Sequence, residues 1–154
     1  MSKPTTVYCV DTSSLLEAWV RRYPQASFPS FWQKLESLIE AGRLIAPEEV
    51  QVETARKDDD LTKWAKAHAI MFVEIDEPLQ MIVADLLSRH ELMVDSSKGK
   101  NAADPWVVGL AKQRGAIVVS EEGAGRLKIP AVCAAESVTC VRLLDLIRLE
   151  KWTF

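Results

Sequence analysis

Short apolar runs alternate along the chain with longer stretches whose apolar residues recur at helical spacing. The runs at 7–10, 44–46, 70–73 and 116–119 predict buried strands, and a fifth strand is expected at 130–133. The longer stretches predict helices over about 14–23, 31–39, 47–57, 61–65, 78–87, 104–114 and 143–147. Strands that alternate with helices in this order indicate parallel βαβ units.

Residues that favour helix ends occur at the predicted boundaries. Ser14-x-x-Glu17 matches a capping box, and Gly42 stands where a helix commonly ends. Asp104, followed by proline, predicts a helix that begins with an aspartate N-cap. The polar stretch 96–101 predicts a mobile loop.

The chain is expected to form one α/β domain over residues 1–154. It carries no internal repeat, linker or break in composition. A chain of this length buries roughly 70% of the surface that it exposes when unfolded, which is enough for a core. We therefore predict three layers, with a central, mainly parallel sheet of four to five strands flanked by helices.

Composition narrows the class of protein. Hydrophobic residues make up 48% of the sequence and charged residues 27%, which excludes a disordered or collagen-like chain. The three cysteines are odd in number and form no Cys-x-x-Cys pair, so neither a disulfide framework nor a thiolate zinc site is expected. No apolar run is long enough to span a membrane, and the first residues do not resemble a signal peptide. These features favour the reducing cytoplasm.

Acidic residues lie close to the predicted carboxyl ends of the strands, where open parallel sheets bind ligands. The candidates are Asp11, Glu49 or Glu53, Asp104, and Glu121 or Glu122. Neighbouring strands are about 4.8 Å apart, so several carboxylates would converge there. Such a group needs raised pKa values or a bound cation, and Mg²⁺ or Mn²⁺ prefers oxygen ligands.

Each of these acids also has an ordinary structural interpretation. Asp11 and Asp104 are suited to helix caps. Glu53 falls in the middle of a predicted helix and would be solvated, and Glu122 would be a turn residue. Glu49 and Glu121 stay open as alternatives or as solvated residues. Their occurrence together at strand ends favours a common site.

Two serines follow predicted strands and are candidates for supporting roles. Ser13 and Ser120 carry hydroxyls that could hold a water or a phosphate oxygen. The same residues are suited to turns and caps.

Four segments carry these acids in order. They are Val7-Tyr8-Cys9-Val10-Asp11-Thr12-Ser13-Ser14, Pro47-x-x-Val50-x-x-Glu53, Asp104-Pro105-x-Val107-Val108-x-Leu110-Ala111 and Val118-Val119-Ser120-x-Glu122. Together they resemble the four acidic motifs of PIN domains, and the stretch 128–133 resembles a bacterial and archaeal branch of PIN-like proteins related to VapC-type toxins. One position departs from the pattern, because the fourth acid is commonly Asp and here is Glu122.

The resemblance implies a Rossmann-like sheet and metal-dependent cleavage of single-stranded RNA. Asp11, Glu53, Asp104 and Glu122 would then be both catalytic and metal-binding, with one or two Mg²⁺ or Mn²⁺ ions and water as the nucleophile. Because many PIN domains are toxins of toxin-antitoxin pairs, it also implies a protein antitoxin as partner. A second copy of the chain is a further candidate partner.

The formal net charge of −3 does not exclude RNA binding, because basic residues lie close in sequence to the proposed site. Lys98 and Lys100 precede Asp104, while Arg126 and Lys128 follow Glu122. We expect these four cations to bind RNA, although most surface charges only solvate the protein.

Two other functions use the same strand-end geometry. A PIN-like fold without turnover would serve as an RNA- or protein-binding module. An aspartate-nucleophile phosphatase would require a second Asp two residues after the first, where this sequence has Ser13. A phospho-accepting receiver domain would require a second acid beside Asp11, which is absent.

Overall fold

A five-stranded parallel sheet forms the centre of the computed structural model, which describes residues 5–90, 103–122 and 128–154. The strands are β1 (Tyr8–Val10), β2 (Leu44–Pro47), β3 (Phe72–Val73), β4 (Ile117–Val119) and β5 (Cys140–Val141). Their spatial order is β3-β2-β1-β4-β5, and every neighbouring pair is parallel. The order reverses between β1 and β4, so the carboxyl ends of β2, β1 and β4 flank a topological switch point.

Helices flank the sheet and complete a three-layer fold. They are α1 (Thr12–Leu16), which continues as a π-helix over Glu17–Arg22, α2 (Pro29–Glu40), α3 (Glu48–Ala55), α4 (Asp59–Ala67), α5 (Glu77–Arg89), α6 (Asp104–Arg114), α7 (Ile129–Ala135) and α8 (Leu143–Leu149). Helix α6 packs on β1 and β2 and against α5 and α7, while α2 packs on β2. The fold class predicted from the sequence is confirmed.

Close packing of α5 against α6 fixes the helix that begins with Asp104. Gly109 lies at the contact, where a Cβ atom would come within 2.6 Å of Val83 Cγ2. A side chain at position 109 would therefore separate the helices. Gly115 ends α6 in the left-handed conformation, at φ 63°, which favours glycine.

The fifth strand predicted at 130–133 is wrong. Those residues belong to α7, in which Ile129, Val132 and Cys133 bury one helical face and Pro130 stands in the first turn. A short apolar run does not distinguish a buried strand from a buried helix. The strand lies instead at Cys140–Val141.

Three predicted boundaries are also corrected. The first helix begins at Thr12 because Asp11 caps it, so Ser14-x-x-Glu17 is not the capping box. The third strand is shorter than 70–73, since Ile70 is exposed in a 3-10 turn. Pro47 ends β2 and precedes α3.

Asp104 is not the N-cap of α6 either. Ala103 occupies that position with a helical backbone, and the Asp104 side chain accepts no capping hydrogen bond from a residue that the structure describes. The helical turn thus starts one residue earlier than predicted.

Two further predictions concern the stretch 96–101 and membrane-spanning segments. The predicted loop at 96–101 lies outside the described residues. In the part of the chain that the structure covers, no helix is long and apolar enough to cross a membrane.

Candidate active site

The carboxyl edge of the sheet holds the four acids that the sequence singled out. Asp11 follows β1, Glu53 lies in α3 after β2, Asp104 begins α6 and Glu122 lies just beyond β4. Asp11, Glu53 and Glu122 follow strands that end at this edge, and the hydrogen bond from Ala103 N–H to Glu53 brings the start of α6 to the same edge. Asp11 and Asp104 are buried, with 3% and 6% of their surface exposed.

Asp11 accepts hydrogen bonds at both carboxylate oxygens. Oδ1 accepts from the Ser14 backbone N–H at 3.0 Å, which caps α1, and from the Ser13 hydroxyl at 2.7 Å. Oδ2 accepts from the Ser120 hydroxyl at 2.9 Å. The capping interpretation of Asp11 is therefore correct, and the cap occupies only one side of the carboxylate.

Ser13 and Ser120 orient Asp11 and tie it to the chain after β4. Each hydroxyl donates to Asp11 and accepts a backbone N–H, from Glu121 for Ser13 and from Glu122 for Ser120, both at 3.1 Å. Within the described residues, these bonds give both serines a supporting role around the carboxylate.

Glu53 is held between α1 and α6. Its Oε1 accepts from the Thr12 hydroxyl at 2.6 Å, and its Oε2 accepts from the Ala103 backbone N–H at 3.3 Å. Glu53 is thus not simply solvated, because it joins the first turn of α1 to the start of the helix that carries Asp104.

Glu121 and Glu122 point to different partners. Glu121 is 7% exposed at its side chain, accepts from Leu143 N–H at 2.8 Å and pairs with Arg142 at 3.3 Å. The expectation that Glu121 is solvated is therefore wrong. Glu122 accepts from Ile129 N–H at 2.9 Å, and its charge acts on both Asp11 and Asp104.

Asp104 carries the least satisfied carboxylate of the group. Its Oδ2 is buried, and no described residue donates a hydrogen bond to it. The pKa of Asp104 is raised to about 8, mainly by burial and then by the charges of Glu122, Asp11 and Glu53, while the Lys128 charge opposes the rise. The four acids therefore share one electrostatic environment.

The pKa of Asp11 is raised less, to about 6. Burial is the main cause, and the Glu122 charge adds to it. Hydrogen bonds from Ser13, Ser14 N–H and Ser120 stabilise the ionised form and oppose the rise. Asp11 is thus the better satisfied of the two buried aspartates.

An oxygen-seeking divalent cation fits the chemistry of this group. Buried, mutually repelling carboxylates and an orphaned Asp104 oxygen are the conditions that such an ion relieves. Across residues 5–90, 103–122 and 128–154, however, no three acidic, histidine or cysteine side chains already form a metal-binding arrangement. The glutamates instead use oxygens on backbone N–H groups, at Ala103 and Ile129.

Comparison with known proteins assigns the chain to a family. Residues 8–154 match the family described as "Domain of unknown function (DUF4411)". The chain belongs to this family. No protein of curated function matches the sequence.

Solved structures show the same fold. The crystal structure of PAE2754 from Pyrobaculum aerophilum is 16% identical, with a TM-score of 0.54 over 96% of this chain and 98% of that one. The crystal structure of FitAcB from Neisseria gonorrhoeae is also 16% identical, with a TM-score of 0.53 over 88% of this chain and 96% of that one. These similarities support a PIN-like fold for this DUF4411 chain and, at this identity, nothing finer.

Of the four predicted RNA-binding cations, Lys128 can be placed. It is exposed at the start of α7, and its charge acts on Asp104. Lys98, Lys100 and Arg126 lie outside the described residues.

Arg142 is the cation that sequence reasoning missed. It follows β5 directly and donates to the backbone carbonyls of Glu121, at 3.3 Å, and Glu122, at 3.2 Å. Like the acids, Arg142 is a charged residue directly after a strand, and this position could have identified it. The sequence did not indicate it because the fifth strand was predicted at 130–133 and not at Cys140–Val141.

Proposed function

We propose that this protein is a metal-dependent endoribonuclease that cleaves single-stranded RNA. Asp11, Glu53, Asp104 and Glu122 would hold Mg²⁺ or Mn²⁺, which supplies charge neutralisation and an activated water for phosphodiester hydrolysis. The reaction class follows from the acid-rich edge of a PIN-like fold together with the resemblance of the four motifs.

The observation that carries the proposal is the buried Asp104 Oδ2, which no described residue satisfies. A buried polar oxygen without a donor is costly, and the nearby Asp11 and Glu122 charges make it costlier. A structural carboxylate would have a partner. An unpartnered one among other acids is what a cation-binding site requires.

The chain's own residues prepare the site in distinct ways. Ser13 and Ser120 fix the orientation of Asp11, and Thr12 fixes that of Glu53. Lys128 supplies positive charge near Asp104, where a phosphate would approach. No side-chain nucleophile is needed, because the reaction consumes water.

The test is cleavage of a mixed-sequence RNA by the pure protein in Mn²⁺ and in EDTA. Products should form only with metal. Asp104→Asn should remove the activity without changing the far-UV circular dichroism, and Asp60→Asn, at an exposed position on α4, should retain it. Equal cleavage in EDTA would contradict the metal mechanism.

One observation favours a second candidate, a PIN-like RNA- or protein-binding module without turnover. Both Glu53 and Glu122 accept backbone hydrogen bonds, and the described acids are not arranged around a metal. Titration calorimetry with Mn²⁺ separates the candidates. A nuclease should bind Mn²⁺ and lose that binding in Asp104→Asn, whereas a binding module should show no Mn²⁺ binding that depends on Asp104.

A protein antitoxin is proposed as partner from the motif resemblance. If the chain is the toxin of a pair, its expression alone should slow growth, and the Asp104→Asn form should not. Harmless expression of protein with verified nuclease activity would contradict the toxin role and leave the nuclease proposal intact. Cytoplasmic location and a second copy as partner stay predictions.

A further inference from the structure

A cavity of about 330 Å³ adjoins the acidic edge on the β5 side. Its lining includes Ser120 and Glu122, which belong to the candidate site, and then Cys140, Val141 and Arg142 from β5 and the residue after it. The cavity is therefore continuous with the acids. Its volume lies in the lower part of the range for small-molecule sites, roughly 300–1,000 Å³.

The walls of the cavity combine apolar and charged chemistry. Pro130, Cys140 and Val141 give an apolar surface, and the Arg142 side chain, which is 53% exposed, lies beside it. Asp145 completes the lining beside Glu122, and its Oδ2 accepts from the Arg142 backbone N–H at 3.0 Å. This combination suits a sugar and base on one side and a phosphate on the other.

Arg142 is positioned by groups that leave part of its guanidinium available. It makes three hydrogen bonds, to the carbonyl and carboxylate of Glu121 through Nη1 and to the Glu122 carbonyl through Nη2. A guanidinium has five N–H donors, so among the described residues Nε–H and one Nη2–H are uncommitted. Neighbouring donors of this kind match the oxygens of a phosphate.

We infer that this cavity is the subsite for a nucleotide next to the scissile phosphate, with Arg142 as its phosphate ligand. The inference rests on the proposed function, because it takes RNA as the substrate. Arg142 lines this cavity beside Glu122, and its positive charge stands where the next phosphate of the strand would pass.

The test measures binding of a fluorescent single-stranded RNA by anisotropy, over a range of salt concentrations, in a background carrying Asp104→Asn. Arg142→Gln should weaken binding about tenfold at low salt and lower the salt slope by about 0.7, the value for one phosphate contact on a single strand. Arg148→Gln removes the same charge from the exposed side of α8 and should change affinity less than about twofold.

Arg142→Lys distinguishes phosphate binding from bracing of the backbone after β4. Lysine keeps the charge and should keep most of the salt slope. It cannot replace the three hydrogen bonds to Glu121 and Glu122, so a purely structural role would make it behave like Arg142→Gln.

Cys140 provides an independent reporter because its half-buried thiol lines the cavity. RNA should slow its alkylation by N-ethylmaleimide several-fold, as followed by mass spectrometry. Unchanged alkylation, with Arg142→Gln binding as well as Arg148→Gln, would overturn the subsite even if wild type cleaves RNA. The expected binding and protection without metal-dependent cleavage would support a nucleotide site in this cavity but overturn the nuclease proposal, and with it the place of the cavity beside a scissile phosphate.

Discussion

Ser120 donates its hydroxyl hydrogen to Oδ2 of Asp11 across 2.9 Å, so the residue after β4 orients the carboxylate after β1. Both residues are buried, and the bond favours the ionised form of Asp11. Residues that follow two neighbouring strands thus hold the Asp11 carboxylate in one orientation, as the proposed cation site requires.

Ser120→Ala should weaken the site through this bond. Without the donor the pKa of Asp11 rises further, and the free energy of unfolding should fall by about 1–2 kcal/mol at pH 8. Loss of such a partner to a metal-binding carboxylate should also weaken Mn²⁺ binding by roughly 10- to 100-fold. Urea unfolding and calorimetry measure the two effects. Ser88→Ala, on exposed α5 surface, is the matched control and should change neither.

Asp104→Asn should stabilise the metal-free protein at high pH. The pKa of Asp104 is about 8 in the folded state and ordinarily 3.8, so its contribution to stability is fully present below about pH 4 and is lost as pH rises to 8. The neutral variant escapes that loss. We expect it to exceed wild type by on the order of 1–3 kcal/mol at pH 8 in EDTA and to match it near pH 4.

Unfolding of both proteins between pH 4 and 9 in EDTA measures this difference, with Asp60→Asn as the control for loss of one exposed charge. Mn²⁺ at a hundred times its dissociation constant should then stabilise wild type by about 2.7 kcal/mol and the variant by less. A variant that is less stable at every pH and responds equally to Mn²⁺ would show that Asp104 is structural.

Glu122→Gln and Glu121→Gln should separate activity from stability. Glu122 acts electrostatically on both buried aspartates, so its loss should lower the rate of cleavage on the order of 100-fold or more. Glu121 anchors Arg142 and the Leu143 N–H, so its loss should mainly lower the melting temperature. The reverse pattern would identify Glu121 as the fourth acid.

Glu136→Gln should destabilise the face of the molecule formed by α5, α6 and α7. The Glu136 carboxylate binds Arg89, Lys112 and His90, and these hydrogen bonds, that of Arg89 foremost, hold its pKa well below the usual range. A lowered pKa gives stability that is present above about pH 4.5 and is lost as pH falls. The expected cost is about 1–2 kcal/mol at pH 7 and less near pH 3.

Chemical denaturation at both pH values measures the effect of Glu136→Gln. Glu74→Gln, at an exposed position before α5, provides the control. A difference that stays constant with pH would mean that Glu136 acts by packing and not by charge.

Gly109→Ala should destabilise the protein although alanine is the better helix former. Its Cβ would come within 2.6 Å of Val83 Cγ2, so α5 and α6 would have to move apart at a cost of about 1–3 kcal/mol. Adding Val83→Ala should recover part of the loss, as measured by thermal unfolding. If the loss of stability in the double variant equals the sum of the losses in Gly109→Ala and Val83→Ala, the two positions are not in contact.

The sequence by itself determined the alternation of strands and helices, and with it the edge on which Asp11, Glu53, Asp104 and Glu122 lie. Alternation was sufficient because parallel strands joined by helices must end on a common edge. It did not determine the nature of the short run at 130–133, because four apolar residues fit a buried helix as well as a buried strand.

Only the tertiary structure decided how each acid is used. Asp11 is both a helix cap and an acid of the candidate site, whereas Asp104 follows the N-cap of its helix and keeps a buried oxygen without a partner among the described residues. The Glu121 carboxylate pairs with Arg142 and accepts from the Leu143 N–H. These outcomes depend on long-range hydrogen bonds and on burial, since the solvation of a carboxylate is set by residues distant in sequence.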